Sequence, residues 1–378
     1  MQNSTRVLLG LVIVVLIVIA FTAFSRPTET KTIRIGVLAP LTGPAPVIGE
    51  WMLEGTQMAA KEINTTGGIN GKQIELVIED DACTGKKGVD AYQKLHGGQG
   101  IQYFVGPLCG AVRVPVLQAA EQDKTVLITT GLALVTSPAT KAYTFNVVPS
   151  AWAVAQKIAE FGISKGYRKM SILSTDDVYG KENALALRDY ATTHAVTTPS
   201  DETYLRGTPD LRTQILKFKN DGSDVVLVAA YGPDYATFMR QAKELGFEKP
   251  ILAMSNIQVP EAASMEKQTG QTIYYSYPAA SSAQSVVDFA NKYRKQKPDA
   301  PNFLPMYIGT GYDALKLFTK ALTQCGEKDP DCIKTHFENV KDYQGVNGPI
   351  TFGDKGNNVN QTTIEIRKLE NGQFQKLD

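Results

Sequence analysis

The 378-residue sequence has almost no net charge, and it has few histidines and cysteines. Its 39 lysines and arginines nearly balance its 38 aspartates and glutamates, and the formal net charge is +1. A protein that holds a polyanion needs a concentrated positive field, and the basic residues form no stripe, so nucleic acid is excluded as a partner. The chain has only three histidines, and they are scattered at His96, His194 and His336.

Motifs of the common enzyme classes are also absent. The sequence contains no nucleophile elbow, no phosphate-binding loop and no HExxH pattern. The acidic pairs at positions 80–81 and 176–177 each follow a predicted strand, where a carboxylate caps the next turn or helix. We therefore expect a protein that is not an enzyme and that needs no cofactor.

One long apolar run lies at the start of the chain. Residues 7–24 follow Arg6 and contain no charged residue. A run of about 18 residues lies between the core of a signal peptide and a membrane-spanning helix of about 20. Positions 23–25 form a small-x-small cleavage site, but the run lacks an early helix breaker, and no nearby cysteine offers a lipid-attachment signal. We expect residues 1–31 to export the chain as a signal peptide or, preferably, an uncleaved anchor with a linker.

Cysteine is scarce, with four residues at Cys83, Cys109, Cys325 and Cys332. An even number of cysteines in an exported protein indicates two disulfides. Cys325 and Cys332 flank a polar turn, whereas the other two each follow a strand pattern in the same half of the chain, and this spacing favours pairing within each half. Neither pair has the spacing of zinc ligands, so we expect no metal site.

After residue 31, apolar β-branched runs alternate with amphipathic stretches. IRIGVLAP, QIELVIED and IQYFVGP are typical of buried strands, and a helical pattern follows each. The alternation restarts at PSAW, positions 149–152, which agrees with a chain too long for one hydrophobic core. Repeated βα units predict parallel sheets covered by helices on both faces, with ligands bound at the carboxyl ends of the strands.

The stretch FVGPLCGAVRVPV, positions 104–116, joins a predicted strand to a predicted helix through a turn bracketed by Gly106 and Gly110. The first N–H groups of a helix lack partners within it, and the helix dipole favours an anion or a strongly polar ligand group there. The turn is therefore either a ligand cradle or an ordinary βα loop, since short loops of this kind are common.

Several segments resemble the leucine/isoleucine/valine-binding proteins, the solute-binding components of ATP-driven importers. They are IRIGVLAPLTGP, AAKEINTTGGINGKQIELVIEDDAC, FVGPLC and NGPITFGDKGN, and they occur in the family's order from about Thr32 to the end. The resemblance implies an α/β, two-lobed type I periplasmic-binding fold with three crossovers, near Pro149, Pro278 and Thr351. Lobe one would contain residues 32–150 and 279–349, and lobe two residues 151–278 and 350–378.

The resemblance also implies a ligand site from which two hydroxyls are missing. The family's carboxylate-binding serine falls on Gly110, and its Ala-x-Thr pair falls on Gly131 and Ala133. In the family, the cysteine before that serine is bridged to the cysteine of the DDAC segment, which implies a Cys83–Cys109 disulfide beneath the turn. Backbone N–H groups would then be the main donors to the ligand.

Other ligand contacts implied by the resemblance also lose a charged group or a hydroxyl in this sequence. The glutamate that accepts the ligand ammonium falls on Asn256, and a tyrosine of the first loop falls on Ile48, with Trp51 nearby. Aromatic residues remain at three positions, Tyr179, Tyr231 and Tyr307. The alternative for the first two is that they are core residues and do not contact the ligand. A buried ammonium without a charged partner costs several kcal/mol. We therefore expect an amide, a neutral aromatic compound or a simple carboxylic acid as the ligand.

The exported start and the resemblance together imply an extracytoplasmic protein of the periplasm or the cell surface. It would capture a small molecule between its lobes and deliver it to the membrane permease of an ABC importer. The same fold also serves as the ligand-sensing part of receptors, and an uncleaved anchor would suit one. Only residues 1–6 precede the apolar run, and they resemble no signalling domain. Transport is therefore the expected function, and sensing is the alternative.

Overall fold

The computed structural model describes residues 32–132, 142–279, 283–300, 305–352, 359–360 and 363–377. Its strands are β1 (Thr32–Ala39), β2 (Gln73–Asp80), β3 (Tyr103–Val105), β4 (Val126–Thr129), β5 (Thr144–Asn146), β6 (Met170–Thr175), β7 (Asp201–Tyr204), β8 (Val225–Ala229), β9 (Ile251–Ala253), β10 (Ile273–Tyr277), β11 (Tyr343–Gly345), β12 (Gly348–Ile350), β13 (Glu365–Glu370) and β14 (Gln373–Lys376). Its helices are α1 (Pro46–Thr65), α2 (Gly85–Gln99), α3 (Gly110–Gln122), α4 (Ala151–Ser164), α5 (Val178–Thr193), α6 (Arg212–Asn220), α7 (Gly232–Glu244), α8 (Pro260–Thr269), α9 (Gln284–Gln296), α10 (Met306–Cys325) and α11 (Pro330–Glu338). The expected signal or anchor segment, residues 1–31, and Ala133 lie outside the described residues. In the part that is described, no helix has both the length and the apolar character that crossing a bilayer requires.

Five strands form the first sheet, in the order β2-β1-β3-β4-β5, and every neighbouring pair is parallel. In the register of β1, Val37 lies between Ile78 of β2 and Val105 of β3. The inner strands β3 and β4 are entirely buried and apolar apart from a terminal threonine, as a sheet covered on both faces requires. The carboxyl ends of all five strands therefore lie along one edge of the sheet. We call this sheet and its helices the first lobe.

Seven strands form the second sheet, in the order β14-β13-β10-β9-β8-β6-β7. The five strands from β10 to β7 are parallel, whereas β13 and β14 run antiparallel at one edge, with Ile273 of β10 opposite Leu369 of β13. Sequence alternation predicts the parallel part but not these two edge strands. We call this sheet and its helices the second lobe.

Helices α1 and α10 cross closely over one face of the first sheet. A Cβ at Gly55 would lie 1.8 Å from the carbonyl oxygen of Ile308, and one at Gly311 would lie 2.0 Å from that of Met52. Only glycine permits such an approach between two helix backbones. The side chains on this face form one buried cluster, while a second cluster extends from the other face of the first sheet into the second lobe.

The chain passes between the two sheets three times. The first passage lies between Asn146 of β5 and Ala151 of α4, and the second follows Tyr277 of β10. The third lies later than the expected position near Thr351, because Asn360 is still bonded to the first lobe. Its N–H donates to Asn146 O at 2.9 Å, and its side-chain amide donates to Val147 O at 3.0 Å. The first and third passages are therefore tied together by Asn360.

Both expected disulfides are present. Cys83, after β2, is bonded to Cys109, the residue before α3, and the two Cα atoms are 5.3 Å apart. Cys325 and Cys332 join the end of α10 to the first turn of α11. The first bridge ties together two loops at the carboxyl edge of the first sheet, whereas the second closes a short turn between two helices.

Candidate ligand-binding site

A cavity lies between the two lobes, at the carboxyl ends of both sets of parallel strands. Its volume is about 30 Å³. The first lobe supplies Ile48, Leu108, Cys109, Gly110, Gly131, Leu132 and Tyr307. The second lobe supplies Ala151, Tyr179, Glu182, Asn183, Tyr231 and Asn256. A site at this position agrees with the rule that open α/β sheets bind ligands beyond the carboxyl ends of their strands.

The first-lobe wall consists mainly of two backbone turns. Cys109 is the N-cap of α3 and makes no side-chain capping bond, so Gly110 and the next residue present the open amino end of the helix. The disulfide to Cys83 holds this turn against the loop after β2. A Cβ at Gly131 would lie 1.9 Å from Leu108 O, so this position requires glycine. The wall therefore offers backbone donors and no hydroxyl from Gly110.

A buried cation lies behind this wall. The Arg113 side chain, in the first turn of α3, is 1% exposed and donates from Nη1 to the carbonyl oxygens of Gly131, at 3.3 Å, and of Leu132. Its Nε is buried and has no hydrogen-bond partner in the described part of the chain. Burial lowers the pKa of Arg113 to about 10, so the guanidinium remains charged at neutral pH. Its charge adds to the positive end of the α3 dipole.

The second-lobe wall is built on the start of α5. Asp177 caps this helix by accepting from Gly180 N at 2.9 Å, and its carboxylate also pairs with Arg206 at 3.3 Å. The other expected acidic pair is structural as well, since Asp80 accepts from the N–H groups of Leu41, Thr42 and Ala82. Both pairs therefore have the turn-capping role that the sequence predicts for them.

Three side chains on one face of α5 point towards the cavity. Tyr179, Glu182 and Asn183 are spaced by three and four residues, which places them on the same side of a helix. The rings of Tyr179 and Tyr231 are 5.1 Å apart and tilted by 52°. The Tyr179 hydroxyl is buried and has no hydrogen-bond partner within the described segments, and burial raises its pKa well above the usual 10. It therefore remains a neutral hydroxyl that can donate to a ligand.

The two walls meet at Tyr307 and Asn256. Tyr307 lies in the first turn of α10, and Asn256 lies in the short 3₁₀ turn Ser255–Ile257 after β9. The Tyr307 Oη donates to Asn256 Oδ1 at 2.6 Å, and both side chains are buried. Burial raises the pKa of Tyr307 above its usual value, so the hydroxyl keeps its proton. This hydrogen bond joins the lobes across the cavity.

A second, outer cavity of about 240 Å³ adjoins the first and shares Ile48, Tyr231 and Asn256 with it. Its other lining residues are Pro44, Ala45, Pro46, Val47, Gly232, Pro233, Val259 and Glu261. Most of these are apolar, and they come from the loop before α1 and the first turn of α1 on one side, and from the starts of α7 and α8 on the other. The outer cavity is therefore large enough for an apolar group, since a cavity of about 150 Å³ binds benzene.

The structure brings together seven of the nine ligand-binding residues expected from the sequence: Ile48, Gly110, Gly131, Tyr179, Tyr231, Asn256 and Tyr307. Trp51 is not among the lining residues of either cavity, and its expected role in ligand binding stays a prediction. It lies three positions after Ile48 in α1, about 4.5 Å further along the helix axis, and its half-buried ring packs against the hydrophobic clusters. Ala133 lies outside the described residues.

Sequence reasoning missed five lining residues: Leu108, Leu132, Ala151, Glu182 and Asn183. Glu182 and Asn183 follow Tyr179 by three and four positions, and this helical spacing is a signal that could have found them. No group of three or more histidine, cysteine, aspartate or glutamate side chains in the described parts of the chain is arranged to hold a metal ion.

Two α/β lobes with adjoining cavities between them, at the carboxyl ends of their strands, are typical of proteins that bind small molecules. The family model described as "Periplasmic binding protein" matches residues 32–373. The chain belongs to the leucine/isoleucine/valine-binding protein family of type I periplasmic binding proteins.

Relatives within this family match nearly the whole chain. A Leu/Ile/Val-binding protein from Rhizobium johnstonii is 26% identical over 363 residues, which cover 94% of this chain and 96% of the relative. A leucine-, isoleucine-, valine-, threonine- and alanine-binding protein from Pseudomonas aeruginosa is 26% identical over 361 residues, covering 92% and 93%.

Solved structures confirm the two-lobed type I fold. The LivJ protein of Streptococcus pneumoniae in complex with isoleucine matches with a TM-score of 0.82 and 23% identity, covering 91% of this chain and 98% of that one. An R. palustris solute-binding protein in complex with 4-hydroxybenzoate matches with a TM-score of 0.81 and 18% identity, covering 92% and 96%. The same fold therefore holds an amino acid in one protein and an aromatic acid in another.

Proposed function

We propose that this protein is an extracytoplasmic solute-binding protein that captures one small organic molecule between its lobes and delivers it to the permease of an ABC importer. The observation that carries this proposal is the cavity itself, whose walls come from both lobes and meet at the Tyr307–Asn256 hydrogen bond. A site divided in this way couples ligand binding to lobe closure, because each lobe alone supplies only part of the contacts.

The ligand enters when the lobes separate. The inner cavity of about 30 Å³ has room for only one or two water molecules. A molecule of amino-acid size therefore requires the walls to move apart, and the three passages between the sheets supply the hinge. The wider outer cavity of about 240 Å³ adjoins this site and shares three lining residues with it.

The ligand differs from a free branched-chain amino acid. Such a ligand needs an acceptor for its ammonium group and donors for its carboxylate, and hydrogen bonds to charged groups contribute about 1.5–3 kcal/mol each. Asn256 supplies only an uncharged amide, whose oxygen already accepts from Tyr307, and Gly110 supplies no hydroxyl. The open end of α3 and the Arg113 charge favour an acceptor oxygen on the ligand, and the outer cavity favours an apolar part. An amide, an aromatic compound or a simple carboxylic acid meets these conditions.

Residues 1–31 are proposed to carry the chain across the membrane and to hold it there as an uncleaved anchor. The apolar run after Arg6 supports this assignment. Detection of residues 1–31 in the mature protein by mass spectrometry, together with its recovery in the membrane fraction, is the expected result. A mature chain that begins after position 25 would contradict the anchor.

A thermal-shift screen of the purified protein tests the proposed binding. The panel contains amino acids, amides, aromatic acids and short carboxylic acids. A compound at 100 times its dissociation constant stabilises the native state by about 2.7 kcal/mol, which raises the melting temperature by several degrees. X-ray scattering with the best compound is expected to give a smaller radius of gyration. Binding without any such change would contradict lobe closure.

A further inference from the structure

An orphaned acceptor atom on α5 lies in the wall of the inner cavity. The side-chain nitrogen of Asn183 donates to the backbone oxygen of Tyr179 at 2.8 Å. Because a carbonyl oxygen only accepts, the amide must place its nitrogen there and its own oxygen on the other side. That Oδ1 atom is fully buried and has no hydrogen-bond partner among the residues that the structure describes. A buried oxygen of this kind is satisfied by a donor from outside the protein.

Glu182, the residue before Asn183, supplies a carboxylate on the same face of α5. It is 5% exposed and lines the inner cavity. An ionised carboxylate offers about four acceptor positions and no donor, so a contact within the protein leaves it able to accept from a ligand. Glu182 and Asn183 therefore form a pair of acceptors on the second-lobe side.

The first-lobe side has the opposite character. The open amino end of α3 at Gly110 presents N–H donors, and the buried Arg113 guanidinium behind it has no carboxylate partner among the described residues. A ligand that satisfies both walls carries an acceptor oxygen towards α3 and N–H donors towards α5. The positive charge of Arg113 at the same time disfavours a cationic ligand.

We propose that the ligand is a primary amide, whose oxygen faces the start of α3 and whose two N–H groups face Glu182 and Asn183. This inference rests on the proposed binding function and narrows its ligand class. A carboxylate has the size and shape of an amide but no N–H, so it donates no hydrogen bond to Glu182 or Asn183 and places a second carboxyl group beside Glu182. Glu182 is thereby the residue that distinguishes an amide from the corresponding acid.

Matched pairs of amide and acid provide the test. Calorimetry measures the dissociation constants of acetamide and acetate, propionamide and propionate, and benzamide and benzoate on the whole protein. In each pair that binds, the amide is expected to bind at least tenfold more tightly. The Glu182→Gln variant places an N–H donor in the wall, so the amide preference is expected to fall at least tenfold. The control is Glu160→Gln, on α4, whose side chain is 58% exposed, and the preference should not change there.

The outcomes distinguish a failure of the amide inference from a failure of the proposed binding function. The wild-type comparison needs no variant, so it stays decisive even where Glu182→Gln fails to fold. Equal or tighter binding of the acids overturns the inference, as does an amide preference that survives in a folded Glu182→Gln protein. When no amide binds but another compound of the screening panel does, the amide inference fails and the proposed binding function stands. When no compound of any class binds, both fail.

Discussion

Tyr307 and Asn256 lie in different lobes, and the Tyr307 hydroxyl donates to the Asn256 side-chain oxygen at 2.6 Å. Both side chains are buried, so water does not replace this bond while the lobes are together. Its formation needs no ligand atom. We therefore expect the pair to act as a latch, meaning a bond that favours the closed arrangement of the lobes.

The first prediction removes this latch. Tyr307→Phe deletes the hydroxyl and is expected to raise the open-to-closed ratio of the unliganded protein about fivefold, since a typical hydrogen bond contributes about 1 kcal/mol. X-ray scattering should then give a larger radius of gyration. The control is Tyr312→Phe, because the Tyr312 hydroxyl bonds to Glu62 within the first lobe at 2.7 Å. An unchanged radius in the Tyr307 variant would contradict the latch.

The second prediction concerns branched-chain amino acids. Wild-type protein is expected to bind leucine, isoleucine and valine weakly or not at all. The triple change Gly110→Ser, Ala133→Thr and Asn256→Glu should gain affinity by more than the sum of the single changes, because both ends of one ligand must be held together. Calorimetry measures both proteins. Micromolar leucine binding by the wild type, about −8 kcal/mol, would contradict the inferred change of ligand.

The third prediction separates the two disulfides. Replacing Cys83 and Cys109 by serine opens a 26-residue loop and should lower the free energy of unfolding by about 3.5 kcal/mol. The same replacement of Cys325 and Cys332 opens a shorter loop and should cost about 2.4 kcal/mol. Only the first change disturbs the turn at Gly110, so only it should weaken ligand binding. Equal losses of affinity in both variants, measured by calorimetry, would show that the cradle does not depend on its bridge.

The fourth prediction concerns the outer cavity. Val47→Trp fills part of its 240 Å³ and is expected to weaken the binding of compounds with a ring or long chain at least tenfold, while short compounds keep their affinity. Val287→Trp is the control, because Val287 is 40% exposed on α9 and lines neither cavity. A uniform loss for short and long compounds would instead indicate that the substitution blocks lobe closure.

The fifth prediction is a pH dependence of stability. Burial raises the pKa of both Asp81 and Asp313 to about 7 from the usual 3.8, although Asp313 accepts from Val346 N at 2.9 Å. The folded state therefore holds more protons than the unfolded state between these values, and the free energy of unfolding should fall as pH rises from about 4 to about 7. Urea melts at both ends of this range measure the loss.

Asn at position 313 keeps an oxygen for the Val346 bond but does not ionise. The Asp313→Asn variant should therefore lose less stability than wild type between the two pH values. Asp189→Asn, at an exposed position of α5, is the control and should behave as wild type. A pH dependence that is the same in all three proteins would place its origin elsewhere.

The fold could be predicted because its signals are local. Runs such as IRIGVLAP and VVLVA bury on both faces, and their alternation with helical patterns indicates parallel sheets. The antiparallel edge strands β13 and β14 were not predictable in this way. Their exposed and half-buried residues carry little periodic signal, and their partner β10 lies far away in the sequence. The third passage was expected near Thr351, but Asn360 is still bonded to Asn146 and Val147 of the first lobe. Contacts between such distant parts of the chain leave no local signal in the sequence.

The site was predicted where it depends on positions that match the family. Tyr179 and Tyr231 were expected, and they line the cavity together. Glu182 and Asn183 belong to no motif, and only their helical spacing from Tyr179 marks them, so the sequence pattern does not single them out. Arg113 was missed for a physical reason, since an arginine in an amphipathic helix is normally exposed and only tertiary packing places it behind Gly131.

The antiparallel edge of the second sheet forms only after a late part of the chain has joined it. Strand β10 is complete at Tyr277, but its partner β13 begins only at Glu365, after most of the returning first-lobe chain. Until residues 365–370 have joined the sheet, the edge of β10 that faces away from β9 has no partner strand, and such an edge pairs readily with other chains. We expect a chain cut short before Glu365 to keep that edge and to aggregate more readily than the whole protein. The hairpin of β13 and β14 is therefore needed to complete the second sheet and to cover the edge of β10.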